Sequence, residues 1–468
     1  MLFRLKLFAA AFACAVPTLL SAQPVTPADL REHIEVLASD AYEGRGPGTA
    51  GETKTLAYIS GQLAARGFEP AGTNGSWFQA VPLVERKAVS HAAQWKAGRR
   101  PLKLKEQELL LIGRGPAELI DNARVVFAGH ALPGELAKLD LKDAVVIARY
   151  DASKIEGAPT WAERARGLVE RGAAAVIAIM PAEAPWPAVV QSYASPQTRL
   201  QSHLSPRVQG AISEAEAARL RGHKDLRATL EVSTQVRTYV SHNVLGRLRG
   251  SGASGENVMY LGHWDHLGIC RPEGEADRIC NGAVDNASGI AMMIEIGERF
   301  ARGKRPQRDI LIMATTAEEM GLLGARHFAA EPTVKRESIV AAMNLDTVAI
   351  HGRGEKLAII GRGIAPLDAA IEATARALGR AIDEDKEADP FVVRQDGWEL
   401  SKAGIPTVMV GGSFSNMASL EAFLSGPYHK PGDDTARELV LEGAAEDADF
   451  MVALGRRLAD PALYPSPR

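Results

Sequence analysis

Apolar positions along the chain change period several times, and each change marks an element. Between residues 26 and 72 they recur at helical spacing, first at Leu30, Ile34, Leu37 and Ala38, then at Leu56, Ile59, Leu63 and Ala64. A glycine-rich stretch, Gly44 to Gly51, separates the two runs, and Gly67 closes the second. Residues 105–235 have another texture. Val125–Ala128, Ala144–Ala148 and Ala174–Ile179 are short apolar runs that read as buried strands, with a helix over Trp161–Arg171 stopped by Gly172. From Asn243 the two patterns alternate. Strands are expected at Val258–Leu261, Ile310–Ala314, Val340–Leu345 and Thr407–Val410. Helices are expected at Ala287–Phe300, Leu322–Phe328, Leu367–Leu378 and Glu438–Leu458. Such alternation predicts an α/β fold with a mixed, mainly parallel central sheet flanked by helices, interrupted by a β-rich insertion over 105–235. The flanking parts, 23–104 and 236–468, then form one domain, with the chemistry in the second part.

Composition adds compartment and partners. Residues 1–22 read as a secretory signal: Arg4 and Lys6, an apolar stretch from Leu7 to Leu20, then Ser21-Ala22 at the cleavage site. Cys14 offers a weaker, lipoprotein-type reading. Cleavage leaves 52 basic against 57 acidic residues, a net charge of −5, which does not suggest nucleic acid or an anionic membrane as partner. No later run is apolar and long enough to span a membrane. Secretion or a periplasmic location is therefore expected, and Cys270 and Cys280 are a plausible disulfide in that setting.

Ligands in open α/β sheets bind beyond the carboxyl ends of strands. Polar residues cluster at those positions: Gly262-His263-Trp264-Asp265-His266, Asp285-Asn286, Glu318-Glu319, Asp346, and Tyr428-His429-Lys430-Pro431. Imidazole and carboxylate are the ligands zinc takes outside all-cysteine sites. His263, Asp285, Glu319, Asp346 and His429 suffice for two Zn2+ ions if one aspartate bridges them. Asp265, two residues past His263, is placed to orient its ring, and Glu318, beside a ligand, to serve as general base. His266 is ambiguous between the site and its surroundings. Gly46 to Gly51 matches G-x-G-x-x-G, but it follows a helix and carries Pro47, so a dinucleotide loop is rejected. H-E-x-x-H, G-x-S-x-G and Walker-type motifs do not occur.

These segments, with Gly282 to Gly289, Ala317 to Leu322, Asn344-Leu345-Asp346 and His429 to Asp433, resemble the leucyl aminopeptidase, glutamate carboxypeptidase and transferrin-receptor family of di-zinc metallopeptidases. Leu37 to Arg45 resembles the opening of secreted bacterial members, and the insertion resembles a protease-associated domain. The resemblance implies one zinc on His263, Asp285 and Asp346 and the other on Asp285, Glu319 and His429. It implies Glu318 as base and then acid in peptide hydrolysis, most simply by an aminopeptidase. The chain departs from the pattern at Gln395-Asp396-Gly397, where many members carry Ser-Asp-His, and at Val392-Val393, where aminopeptidases place an oxyanion-donating tyrosine. Tyr428 is the alternative donor. A carboxypeptidase or glutaminyl cyclase on the same scaffold is the enzymatic alternative, although Arg394 alone is a poor carboxylate reader. A receptor-like binding scaffold is the non-enzymatic one, disfavoured because no ligand is missing. Preferred terminal residue and oligomeric state are not legible.

Overall fold

The structure, a computed structural model, describes residues 23–466, so the expected signal at 1–22 lies outside the described residues. The chain divides into two compact units. The first comprises residues up to Gln79, Val244–Thr315 and Pro332 onward, and the second Ala80–Asn243 and Thr316–Glu331.

The first unit is a mixed α/β fold. Its central strands are β1 (Asn257–His263), β2 (Asp309–Thr315), β3 (Ile339–Asn344), β4 (Ala358–Ile360) and β5 (Thr407–Gly411). In space they run β4-β5-β3-β1-β2, with residues 244–248 added beyond β2. The pairs β1–β2, β1–β3 and β3–β5 are parallel, while β4 and the 244–248 edge are antiparallel to their neighbours. Both faces of the parallel core are covered, so β1, β2 and β3 are buried along their whole length. Register aligns the carboxyl ends: His263 pairs with Thr315, and Leu261 with Asn344. Residues that follow these strands therefore leave from one rim.

Helices α1 (Pro27–Leu37), α2 (Ala50–Ala65), α3 (Ser288–Arg302), α4 (Ala365–Leu378) and α5 (Glu442–Leu458) clothe the sheet. Thr26 starts α1 with a reciprocal cap to Asp29. Helix α3 packs against α1, α2 and α5 and is buried from Ser288 to Phe300. That burial includes Glu295, whose carboxylate accepts from His33 Nε2 (3.1 Å), Arg66 (3.2 Å) and Arg299 (2.7 Å). Tyr58 stands 2.6 Å from the other nitrogen of His33, so one acid ties three helices. The last helix begins at Glu442 rather than Glu438, because Val440 is drawn into a bridge with Ile350.

The second unit takes in all of 105–235 and adds flanking strands. Strands Ala117–Phe127, Val145–Arg149, Ala175–Met180 and Val208–Ser213 are parallel, and Leu109–Gly113 is antiparallel to the last. Helix Trp161–Glu170 connects the second of these strands to the third, and Glu214–Arg221 leads from Val208–Ser213 to the strand Leu226–Leu248. Val145, Ile147, Ile177 and Ile212 form the centre of its core. Among the described residues no helix is long and apolar enough to cross a membrane.

Candidate metal centre

His263 is the last residue of β1. Its Nδ1–H donates to the main-chain oxygen of Asp265 at 3.0 Å, which turns the lone pair of Nε2 outward from the strand end. Asp285 stands in the irregular turn before α3, and its peptide bond to Asn286 is cis. Asn286 is fully buried and fastens that turn to the end of β3. Its Nδ2 donates to Leu345 O (2.9 Å), and its Oδ1 accepts from Gly289 N and Thr347 N. Asp346 follows directly, two residues beyond β3. His429 closes the group from the segment before α5, with its ring stacked on that of Tyr428.

The distances define a polydentate site. His263 Nε2 is 3.2 Å from Asp285 Oδ1 and 3.6 Å from Asp346 Oδ1. His429 Nε2 is 3.3 Å from the other oxygen, Asp285 Oδ2. Two donors on one tetrahedral zinc, each about 2.0–2.1 Å from it, stand about 3.3 Å apart. The donor set and its spacing thus fit zinc, and Asp285 offers one oxygen to each imidazole. His266, which the sequence left ambiguous, is buried here, with Nδ1 at 3.9 Å from Asp285 Oδ2.

Burial alone would raise the Asp285 carboxyl. Hydrogen bonds from His263 and His429 and the nearby His266 outweigh it and hold the group well below the usual carboxylate range. Asp396 shows the reverse balance. It accepts from the Thr315 hydroxyl at the end of β2, and burial pushes it up to about 6 against the pull of His263.

Sequence reasoning missed what holds the loops. Arg45 is wholly buried and donates to four carbonyls: Trp264 O (2.8 Å), Leu37 O (2.8 Å), Asn281 O (2.6 Å) and Gly282 O (2.8 Å). It joins the residue after His263 to the residues before Asp285. Gly282 has φ +60°, and a Cβ there would strike the Asp285 carbonyl and the His266 ring, so only glycine fits. Asp433 accepts from Val284 N and Asp285 N, each at 3.0 Å, which locks the His429 segment onto the same turn. A disulfide joins Cys270 and Cys280 within the loop that separates His263 from Asp285. Arg45 and Asp433 stand inside motifs already singled out, but nothing in the sequence says which carbonyls or amides they meet.

Glu318 and Glu319 belong to the second unit, in the turn that leaves β2. The Glu318 carbonyl accepts from Gly321 N and Leu322 N, both at 2.8 Å, ahead of the helix Leu323–Ala330. Asn243 braces the turn, accepting from Thr316 N and donating to Gly324 O, each at 3.0 Å. Tyr428 packs on Phe423, and Arg394 Nη2 approaches its hydroxyl at 3.5 Å.

Residues 243–453 match the family model described as peptidase family M28. A probable zinc metalloprotease of Pyrenophora teres f. teres (strain 0-1) is 34% identical over 105 residues, 22% of each chain. The aminopeptidase NAALADL1 of Mus musculus is 32% identical over 123 residues, 25% of this chain and 15% of that one. The chain thus spans about a fifth or less of the length of these curated relatives. Among solved structures, an aminopeptidase from Aneurinibacillus sp. strain AM-1 has the same fold at TM-score 0.58 and 19% identity, with 94% of this chain and 95% of that one covered.

Proposed function

We propose, from the match of residues 243–453 to the model of peptidase family M28, that the chain is a zinc-dependent exopeptidase, an aminopeptidase that removes N-terminal residues from peptides. One observation carries the reading: the two oxygens of Asp285 face His263 and His429 at 3.2 and 3.3 Å. Two ions are assigned, one to His263, Asp285 and Asp346, the other to Asp285, Glu319 and His429. Zinc held there supplies Lewis acidity and a water ionised near neutral pH. The chain's own groups do the rest. Glu318 takes the proton of the attacking water and returns it to the leaving nitrogen, so the amine departs neutral. Tyr428 donates its hydroxyl to the carbonyl oxygen as charge develops there. Asp265 fixes the His263 ring, for which the bond from Nδ1 to its carbonyl is the support.

We assign 105–235 to an inserted protease-associated domain that restricts the substrate to chain ends. Export to the periplasm or beyond follows from the signal-like residues 1–22, and the Cys270–Cys280 disulfide supports an oxidising compartment. The test is a panel of aminoacyl chromogenic substrates with N-blocked counterparts, assayed with and without chelator. Free amino termini are cleaved, blocked ones are not, chelation abolishes turnover and zinc restores it. Full activity in exhaustively demetallated protein overturns the assignment.

A further inference from the structure

The strand Phe78–Ala97 is paired on one edge with the strand Leu226–Leu248. Bonds at its two ends bracket that pairing, Leu245 N to Trp77 O at 2.7 Å and Gly98 N to Asp225 O at 3.1 Å. The other edge is shared between two short strands. Leu83–Arg86 pair with Gln197–Leu200, and Trp95–Ala97 pair with Arg100–Leu102. Between them, among the described residues, no strand is paired with the outer edge of Lys87–Gln94. The return strand does not continue along that edge because the chain beyond it is drawn aside. Arg219 donates to Lys103 O at 3.0 Å, and Glu216 accepts from Lys105 N at 3.2 Å. A cavity of about 640 Å³ opens there, lined by residues 91–95 of the strand and by 101–104, Glu106 and Leu109 of the departing segment.

An unpaired edge presents main-chain N–H and C=O groups in a row, a template for one more strand. Two features narrow what that strand is. Trp95 lines the cavity and is 3% exposed, yet its indole N–H has no hydrogen-bond partner among the described residues. A buried donor without an acceptor is costly, and a peptide carbonyl entering the cavity would accept from it. The second feature is charge. Lys87, Lys96, Arg99, Arg100 and Lys103 are exposed around this edge, and among the described residues none of them has an ion-pair partner. Glu85 is taken by Arg237 at 3.4 Å and Glu108 by Lys105 at 2.9 Å, which leaves Glu106 as the acid on the cavity wall. A second copy of this chain would bring the same cations face to face, and like charges across a strand pair are unfavourable. An acidic strand meets the opposite balance.

We propose that the edge Lys87–Gln94 takes up an acidic peptide in extended conformation as an added strand, with a peptide carbonyl on the Trp95 indole. This site goes beyond the peptidase reading and stands whether or not the chain cleaves peptides. The experiment measures fluorescence anisotropy of a labelled, N-acetylated peptide of alternating valine and glutamate on the full chain. About eight residues span the edge at about 3.3 Å each. The acidic peptide binds about tenfold or more tightly than its valine–lysine counterpart. Two further peptides carry N-methyl groups, one on the valine amides and one on the glutamate amides. Binding of at least one is abolished, because main-chain hydrogen bonds hold an added strand, and this arm leaves the protein unaltered. Lys87→Glu together with Lys96→Glu reverses the preference between acidic and basic peptides. Trp95→Phe, which keeps a ring and removes the donor, weakens binding about threefold to tenfold. Absence of binding, equal affinity of both methylated peptides and the parent, a preference untouched by the lysine variant, or equal affinity in Trp95→Phe overturns the proposal. So does a dimer in sedimentation that the peptide dissociates, which would assign the edge to a second copy.

Discussion

Asp285 is the residue on which the site turns. Its carboxylate is buried, yet imidazoles on both sides hold it ionised, and an ionised carboxylate is a ligand that zinc accepts. In the proposed mechanism the neighbouring Glu318 and Glu319 divide the remaining work. Glu318→Gln removes a base and leaves the proposed ligands in place, so kcat falls by orders of magnitude while metal content stays near wild type. Glu319→Gln removes a ligand, so metal content falls first. Metal analysis of the two purified variants checks this, and a reversed pattern would exchange their roles. His263, Asp285, Asp346 and His429 were legible because histidine and carboxylates recur where short apolar runs end. Arg45 was not. Its importance lies in four carbonyls contributed by residues 37, 264, 281 and 282, and carbonyl direction leaves no trace in residue type.

At the scale of elements, the loop between β1 and α3 links two proposed ligands, His263 and Asp285, and has almost no regular structure. It is held by Arg45 at both ends, by Asp433 at the turn and by the disulfide in the middle. Opening the disulfide with Cys270→Ser lengthens the free loop of the unfolded chain. Stability falls by about 2–3 kcal/mol in the chain-entropy account. Zinc stoichiometry stays the same, since neither sulfur is a ligand. Thermal denaturation beside metal analysis tests this, and loss of zinc without loss of stability would point to a thiolate site. The short buried strands β1, β2 and β3 were readable because they are apolar throughout. The long strands Phe78–Ala97 and Leu226–Leu248 were not, because much of each alternates with exposed, charged positions and has no continuous apolar run.

For the whole molecule, the Glu295 network is the electrostatic tie of the helical layer. Burial alone would raise the Glu295 carboxyl, but His33, Arg299 and Arg66 outweigh burial and hold it below its ordinary value of 4.5. A depressed carboxyl contributes stability above its unfolded pKa and loses it as pH falls through the folded one. Denaturant midpoints should therefore be steady above 4.5 and drop below it. Glu295→Gln should flatten that drop and cost about 3 kcal/mol at neutral pH, the lower end for a broken buried pair, because Arg299 keeps Asp29 at 2.7 Å. An unchanged acid limb in the variant would remove Glu295 as its source.

The hold of Asp433 on the turn before α3 has a consequence for the order in which the protein becomes active. A chain is made from its N-terminus, so Arg45 emerges first and can fasten the early loops as soon as they appear. Until residues 429 to 433 follow, the turn at Asp285 lacks both its lock and its second imidazole. A nascent or truncated chain therefore lacks one of the proposed ligands and the carboxylate that locks the turn carrying another.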